Sequence, residues 1–290
     1  MQTPSPVEYE RATSIAHALE LMERLGPEAR VIAGGHSLLP MMRLRLAQPE
    51  AVIDINDLSE LAGIRVEDNH LVLGAMTRHA DVLASAVVGE HYAIFHDAER
   101  VIADPIVRNR GTVGGSLCQA DPAEDLSAVA AALKATLTLR SSQGERTVEA
   151  REFVQGPYET LLGPAEILTA IKIPIRAGAG SAYEKVERRA GDWAIAAAGS
   201  FVVLADGAIA DVGIGIAAVG APHQCAPEAE QFLLGKEPSD ETLAEAARLA
   251  AAACAPRADQ RGPVEYKRHL AGELTQRALR RCVARASGSE

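Results

Sequence analysis

Two glycine pairs constrain this chain more than any other feature: Ala33-Gly34-Gly35-His36-Ser37 and Thr112-Val113-Gly114-Gly115-Ser116. The first follows the apolar strand signal Arg30-Val31-Ile32-Ala33 and precedes the apolar run Leu38-Leu39-Pro40, which predicts a strand, a tight loop and a helix start. At such a junction the leading N–H groups of the helix lack intrahelical acceptors, and the helix dipole favours negative charge. Glycine has no Cβ and accepts positive φ, so backbone can come close to a phosphate. Ser37 is expected to cap the helix, with Pro40 in the first turn, where its missing N–H costs little. The second motif repeats the theme just after Arg108 and Arg110, and neither motif contains Lys or Arg. A pyrophosphate between the two would be held by backbone dipoles. One isolated Gly-Gly is usually only a tight turn; two with similarly placed hydroxyls argue for a clasp.

The surrounding pattern predicts mixed α and β structure. A helix is expected over 14–25, stopped by Gly26-Pro27, and a short buried strand at Val52-Ile53-Asp54-Ile55, making residues 1–60 a small α/β unit. A hairpin follows over 64–73, turning at 67–70, then helices near 79–87 and 91–102. Asp121-Pro122-Ala123-Glu124 has the spacing of a helix start capped by Asp121, with the helix running to about Lys134. Pro174 to Gly180 is the expected domain boundary. Beyond it, Asp206-Gly207 marks a hairpin, and helices are expected over 226–234, 240–254 and 266–285, the second opened by Ser239 or Asp240.

Composition narrows the function. The chain has 290 residues, enough for about two domains. A net charge of -10 argues against nucleic-acid binding, which needs a cationic surface. No stretch approaches the roughly 20 apolar residues of a membrane span, and the N-terminus lacks secretory features, so the expected location is cytoplasmic, with a peripheral site at the inner membrane face as a variant. Cys118, Cys225, Cys254 and Cys282 form no Cys-x-x-Cys pair, so no metal or iron–sulfur site is expected on this chain. They read as reduced, mostly buried thiols. No local nucleophile and base constellation appears, so no catalytic residue is assigned.

The two glycine motifs, the stretch Asp121-Pro122-Ala123-Glu124-Asp125 and the later Arg188-Arg189-Ala190-Gly191-Asp192-Trp193 closely resemble the FAD-binding medium subunits of molybdenum hydroxylases, the xanthine dehydrogenase and aerobic carbon monoxide dehydrogenase family. The resemblance spans nearly the whole chain, with the motifs in the family's order and separations. It implies an α+β flavoprotein: an FAD-binding domain of the vanillyl-alcohol-oxidase/p-cresol-methylhydroxylase type over 1–176, in subdomains of about 1–60 and 61–176. A C-terminal antiparallel sheet with helices would follow over 177–286, and a flexible tail over 287–290. FAD would lie between the subdomains, its pyrophosphate clasped by Ala33, Gly34, Gly35, His36, Ser37, Leu38, Thr112, Gly114, Gly115 and Ser116. By the same resemblance Asp125 would bond the cofactor's polyol, with Asp121 as the helix cap and second choice. Leu161, Leu168 and Lys185 would line the isoalloxazine, and Trp193, the sole tryptophan, would stand beside it. Taken without the resemblance, Asp125 reads as a solvated first-turn acid, and Leu161, Leu168 and Trp193 equally as packing residues. A histidine after Gly-Gly carries covalent flavin in the broader superfamily; the molybdenum-hydroxylase relatives bind FAD non-covalently, which is the expectation for His36.

The implied partners are a large subunit with the molybdenum cofactor and a small iron–sulfur subunit, in a dimer of heterotrimers. The chain would collect electrons and pass them to an external acceptor such as a quinone. Carbon monoxide is the favoured substrate, because the first motif and the compact length are nearest that branch; xanthine, aldehyde or N-heterocycle dehydrogenases share the motifs. Outside this family stand a self-contained flavin oxidase, a non-catalytic binding module and a Rossmann dehydrogenase. The last has Asp54 about 20 residues after Gly34 in its favour, but Gly-x-Gly-x-x-Gly is missing there. Gly213-Ile-Gly215 lies in an expected strand, where glycine serves close packing or twist.

Overall fold

The computed structural model describes residues 3–289 and is α+β throughout. Strands Glu8–Arg11, Ala51–Asp54 and Ala29–Ile32 form a parallel sheet in that spatial order. Glu8–Arg11 was not expected, because Glu-Tyr-Glu-Arg shows no apolar alternation. Its order comes from pairing along Ala51–Asp54 and from Tyr9, whose hydroxyl donates to Asp54 at 2.6 Å. The helix Ile15–Leu25 starts where Ser14 accepts from the His17 N–H and stops at Gly26, with φ +73°. Its buried face, Ile15, Ala18, Leu19 and Leu21, shares a core with Ile53 and Ile55 of the sheet side.

A second sheet is antiparallel, in the order Ile64–Glu67, His70–Gly74, Ile167–Pro174, Thr136–Ser141, Gly144–Glu149. Its first hairpin turns at Asp68 and Asn69, with φ 47° and 59°, the left-handed pair that a two-residue turn requires. The helix expected near 79–87 is broken into His79–Ala84 and Ala86–His91 at Ser85, whose hydroxyl caps the second piece. Ala93–Val101 and an unexpected short helix, Pro105–Arg108, capped by Asp104, complete this layer.

The third sheet, Gly180–Glu187, Ala194–Ala205 and Ala208–Ala217, is antiparallel and turns at Asp206-Gly207, with φ 52° and 80°. Helices Pro227–Leu233, Asp240–Ala253 and Val264–Ala286 share one core with it. Against the Ala208–Ala217 strand lies the helix Asp125–Ala132, all eight residues of which are buried. A Cβ at Gly213 or Gly215 would overlap the carbonyls of Ala132 or Ala128, so these glycines are there for close packing. Arg281 and Arg285 of the last helix both bond Asp97 on Ala93–Val101, at 3.1 and 2.7 Å.

The start of Asp125–Ala132 departs from expectation. Glu124, not Asp121, is the cap, accepting from the Leu126 N–H at 3.1 Å. Asp121 closes a turn by accepting from the Ala123 N–H at 2.9 Å, and the helix ends at Ala132 rather than Lys134. Two acids three residues apart both fit the capping pattern, and burial of the helix selects the second. Near the C-terminus the Ser287 and Ser289 hydroxyls donate to the Ala284 carbonyl; Glu290, the end of the expected tail, lies outside the described residues. All four cysteines are free thiols, Cys118 half-buried and the others buried.

Candidate functional site

The two glycine motifs meet. A Cβ on Gly34 would overlap the Arg110 carbonyl oxygen and lie 2.8 Å from Gly111 Cα, while one on Gly115 would come within 3.9 Å of Ala33 Cβ. Each pair therefore divides its labour. Gly34 and Gly114 serve contact between protein segments, the latter packed on Ala75, where a Cβ would sit 2.6 Å from the Ala75 Cβ. Gly35 supplies the positive φ, +78°, that turns the first loop.

The motifs also differ in what they offer an anion. In the first, the N–H groups of Gly34, Gly35, His36 and Ser37 make no hydrogen bond to any described residue. The second is not a loop but the first turn of the helix Val113–Gln119, and the N–H groups of that turn are spent: Val113 donates to Thr77, Gly114 to Ala75, and Gly115 to the Thr112 hydroxyl. The motif can offer hydroxyls and a single backbone donor, the Thr112 N–H, which makes no hydrogen bond to any described residue, so the clasp is less symmetrical than expected from sequence. A second correction concerns Ser37, which makes no cap hydrogen bond; the helix it precedes, Leu38–Arg43, is only six residues long. His36 Nδ1 lies 3.0 Å from the Gly34 carbonyl. A carbonyl only accepts, so Nδ1 carries the proton.

Two residues that sequence reasoning missed hold the motifs together. Asn56 donates from Nδ2 to the Ala33 carbonyl at 2.5 Å and to Asp54 Oδ1 at 2.7 Å. Arg78 donates to Asn56 Oδ1 at 2.9 Å and to the Arg110 carbonyl. Burial, then repulsion from Arg110, lowers the Arg78 pKa. Asp54, the ribose-binding acid of the Rossmann alternative, is one link of this Tyr9–Asp54–Asn56–Arg78 chain. A cavity of about 330 Å³ opens beside the first motif, lined by Ala33, Gly34, Gly35, Asn56 and Arg110 among others.

Asp125 is not the solvated acid that helix position alone suggests. It is 4% exposed, with Oδ2 2.8 Å from Lys185 Nζ and Oδ1 accepting from the Tyr183 hydroxyl at 2.7 Å. Lys185 also donates to the Val101 carbonyl. Asp125 and Lys185, separate expectations in the sequence, are thus one buried unit. Leu168 lies in the main core at 4% exposure, paired across the sheet with Leu139. Leu161 is 36% and Trp193 42% exposed. The turn that carries Trp193 packs through Gly191 on the Ala103 backbone, two residues beyond Val101, and so stands near Lys185. Thr112 is buried and Ser116 half-buried.

Comparison with known proteins gives matches along the chain. Residues 5–176 match the family described as the FAD binding domain in molybdopterin dehydrogenase, and residues 181–282 the CO dehydrogenase flavoprotein C-terminal domain. The carbon monoxide dehydrogenase medium chain of Afipia carboxidovorans is 40% identical, over 98% of this chain and 99% of its own length. The glyceraldehyde dehydrogenase medium chain of Sulfolobus acidocaldarius is 36% identical, over 96% and 98%. A chain of the carbon monoxide dehydrogenase structure from Hydrogenophaga pseudoflava superposes with a TM-score of 0.95 at 42% identity, covering 98% of this chain and 99% of that one.

Proposed function

Because the chain belongs to the FAD-binding medium subunits of molybdenum hydroxylases, we propose that it is the electron-transferring flavin subunit of a carbon monoxide-oxidising complex. The observation that carries the cofactor site is the row of four N–H groups at Gly34 to Ser37 that make no hydrogen bond among the described residues, set beside a helix start that carries hydroxyls. Those donors suit a pyrophosphate: all four residues are half-buried in one loop, and Gly34 and Gly35 line the cavity beside it.

FAD, when bound, supplies the capacity to take up and release electrons. The residues that would hold it are Ala33, Gly34, Gly35, His36, Ser37 and Leu38 on one side, and Thr112, Gly114, Gly115 and Ser116 on the other. Of these, Gly34 and Gly114 act by bringing the segments together. Asp125 and Lys185 would fix the polyol and ring region as a pair, with Leu161, Leu168 and Trp193 around the ring. Binding is non-covalent, and no residue of this chain is assigned to catalysis. We divide the chain at 176/177, with subdomains of about 1–60 and 61–176 clasping the cofactor and residues 177–286 closing the ring side.

The substrate would be oxidised at a molybdenum cofactor on a large subunit. Electrons would arrive through iron–sulfur clusters of a small subunit and leave to an acceptor such as a quinone, in a dimer of heterotrimers. Carbon monoxide is favoured because relatives named for it are 40% identical, against 36% for those named for glyceraldehyde or nicotine. We place the complex in the cytoplasm, with peripheral attachment at the inner membrane face as a variant. No helix among the described residues is long and apolar enough to cross a membrane.

Tagged purification from the native cell tests this. The expected result is a yellow complex of three subunits whose flavin bleaches on addition of carbon monoxide. A colourless chain that takes up no FAD overturns the cofactor assignment, and bleaching by a purine or an aldehyde but not by carbon monoxide overturns the substrate. Gly35→Leu and Gly115→Leu are expected to lose FAD; full retention by both would refute the clasp.

A further inference from the structure

The Ser116 hydroxyl, one of the groups assigned to the pyrophosphate, has a partner on its protein side. His79 Nε2 lies 3.0 Å from Ser116 Oγ, and His79 Nδ1 lies 3.0 and 3.1 Å from the two carboxylate oxygens of Glu99. His79 is 3% exposed and Glu99 fully buried, while Ser116 is half-buried and follows Gly115, the residue whose Cβ would come within 3.9 Å of Ala33 in the first motif. The three residues lie on separate helices, so this chain is a product of the fold, not of local sequence.

The direction of the hydrogen bond to Ser116 depends on how many protons the pair holds. With one, the proton lies on Nδ1, facing a carboxylate that only accepts; Nε2 is then a bare lone pair and captures the Ser116 O–H. With two, Nε2 carries hydrogen whether the pair is imidazolium beside carboxylate or neutral imidazole beside carboxylic acid. Nε2 then donates to Ser116 Oγ and leaves the hydroxyl proton free. Phosphate oxygens accept, so only the doubly protonated pair lets Ser116 donate to a phosphate.

We infer that His79 and Glu99 are positioning residues which set the polarity of the Ser116 hydroxyl, so that FAD is held tightly while the pair keeps its second proton and more loosely once it is lost. This rests on the pyrophosphate assignment. The neighbouring carboxylates act to keep that proton. Burial opposes charge on His79, but the charge and hydrogen bond of Glu99, with Glu124 and Asp125 behind them, raise its pKa. Burial raises the Glu99 pKa against the opposing pull of His79, and Asp125 raises it further, with Arg108 acting the other way.

The test is the dissociation constant of FAD from the purified full-length chain, read by flavin fluorescence between about pH 6 and about pH 9, the range in which a histidine-centred pair titrates. The native chain is expected to weaken ~10-fold through one step as pH rises, the worth of one hydrogen bond to a charged group. In Ser116→Ala and in His79→Gln the step disappears and binding stays at the weaker level at every pH. Ser116 is half-buried, so its alanine variant carries the test even where the His79 variant does not fold. A step of the same size in Ser116→Ala overturns the inference and assigns it to another group, such as Glu124. A native chain that binds FAD without any step overturns the inference but leaves the clasp standing; one that binds no FAD at any pH removes both.

Discussion

Asp125 Oδ2 lies 2.8 Å from Lys185 Nζ, with side-chain exposures of 6% and 2%. Lys185 Nζ also lies 3.5 Å from Glu187 Oε2, so it keeps one carboxylate when Asp125 is neutralised. Asp125→Asn is therefore expected to destabilise the chain by less than the roughly 3–5 kcal/mol of a fully stranded buried charge. Lys185→Met leaves Asp125 and Glu187 both without their cation and should destabilise more than Asp125→Asn. Urea unfolding midpoints of the two variants decide it.

Glu124 gives a pH dependence of definite sign. Burial, with repulsion from Asp125, raises its pKa from 4.5 to about 7. The folded chain therefore holds this proton more tightly than the unfolded chain. The contribution is complete below about pH 4.5, falls as pH rises, and is gone by about pH 7, a total of ~3 kcal/mol. Glu124→Gln keeps an oxygen for the Leu126 N–H but cannot ionise. Relative to the native chain it should gain ~3 kcal/mol between pH 4.5 and 8, measured as the difference in unfolding free energy across that window.

The glycines separate folding from binding. Gly34→Ala and Gly114→Ala push a methyl into backbone or a packed neighbour and should destabilise the apo chain by ~1–3 kcal/mol or more. Gly35→Ala has side-chain neighbours that can give, Leu39 at 3.1 Å and Ile32 at 3.3 Å, and pays mainly for positive φ, ~1–2 kcal/mol. Thermal melts without flavin should rank Gly34→Ala below Gly35→Ala.

Trp193 is the sole tryptophan and is 42% exposed. A ring standing beside the isoalloxazine should lose most of its fluorescence when FAD is added to the apo chain. Emission unchanged by stoichiometric FAD would remove Trp193 from the ring site.

What was legible in the sequence is what short-range chemistry decides. Ser239 caps its helix because its acceptor oxygen sits three residues from the Thr242 donor, and Asp68-Asn69 and Asp206-Gly207 turn hairpins through their own φ preferences. The glycine motifs were visible as motifs, and their meeting place followed. What they do individually was not visible: that Gly34 faces Arg110, or that Thr77 and Ala75 take the Val113 and Gly114 donors of the second motif, depends on segments far away in sequence. The strand Glu8–Arg11 escaped for the same reason, since its partner lies about 43 residues on. Asp125 read as solvated because its partners, Tyr183 and Lys185, are 58 and 60 residues distant. His79 and Glu99 carried no motif at all.

Asp97, in the first half of the chain, takes its hydrogen bonds from Arg281 and Arg285 on the last helix, and from the Tyr183 N–H. This carboxylate is a brace between helices whose bonded residues lie 184 and 188 positions apart in sequence. A nascent chain halted anywhere before Arg281 lacks both guanidinium partners of Asp97, so it is missing a clamp on its early helix layer and not merely its later segment. Damage to the Val264–Ala286 helix would thus be felt in Ala93–Val101 as well.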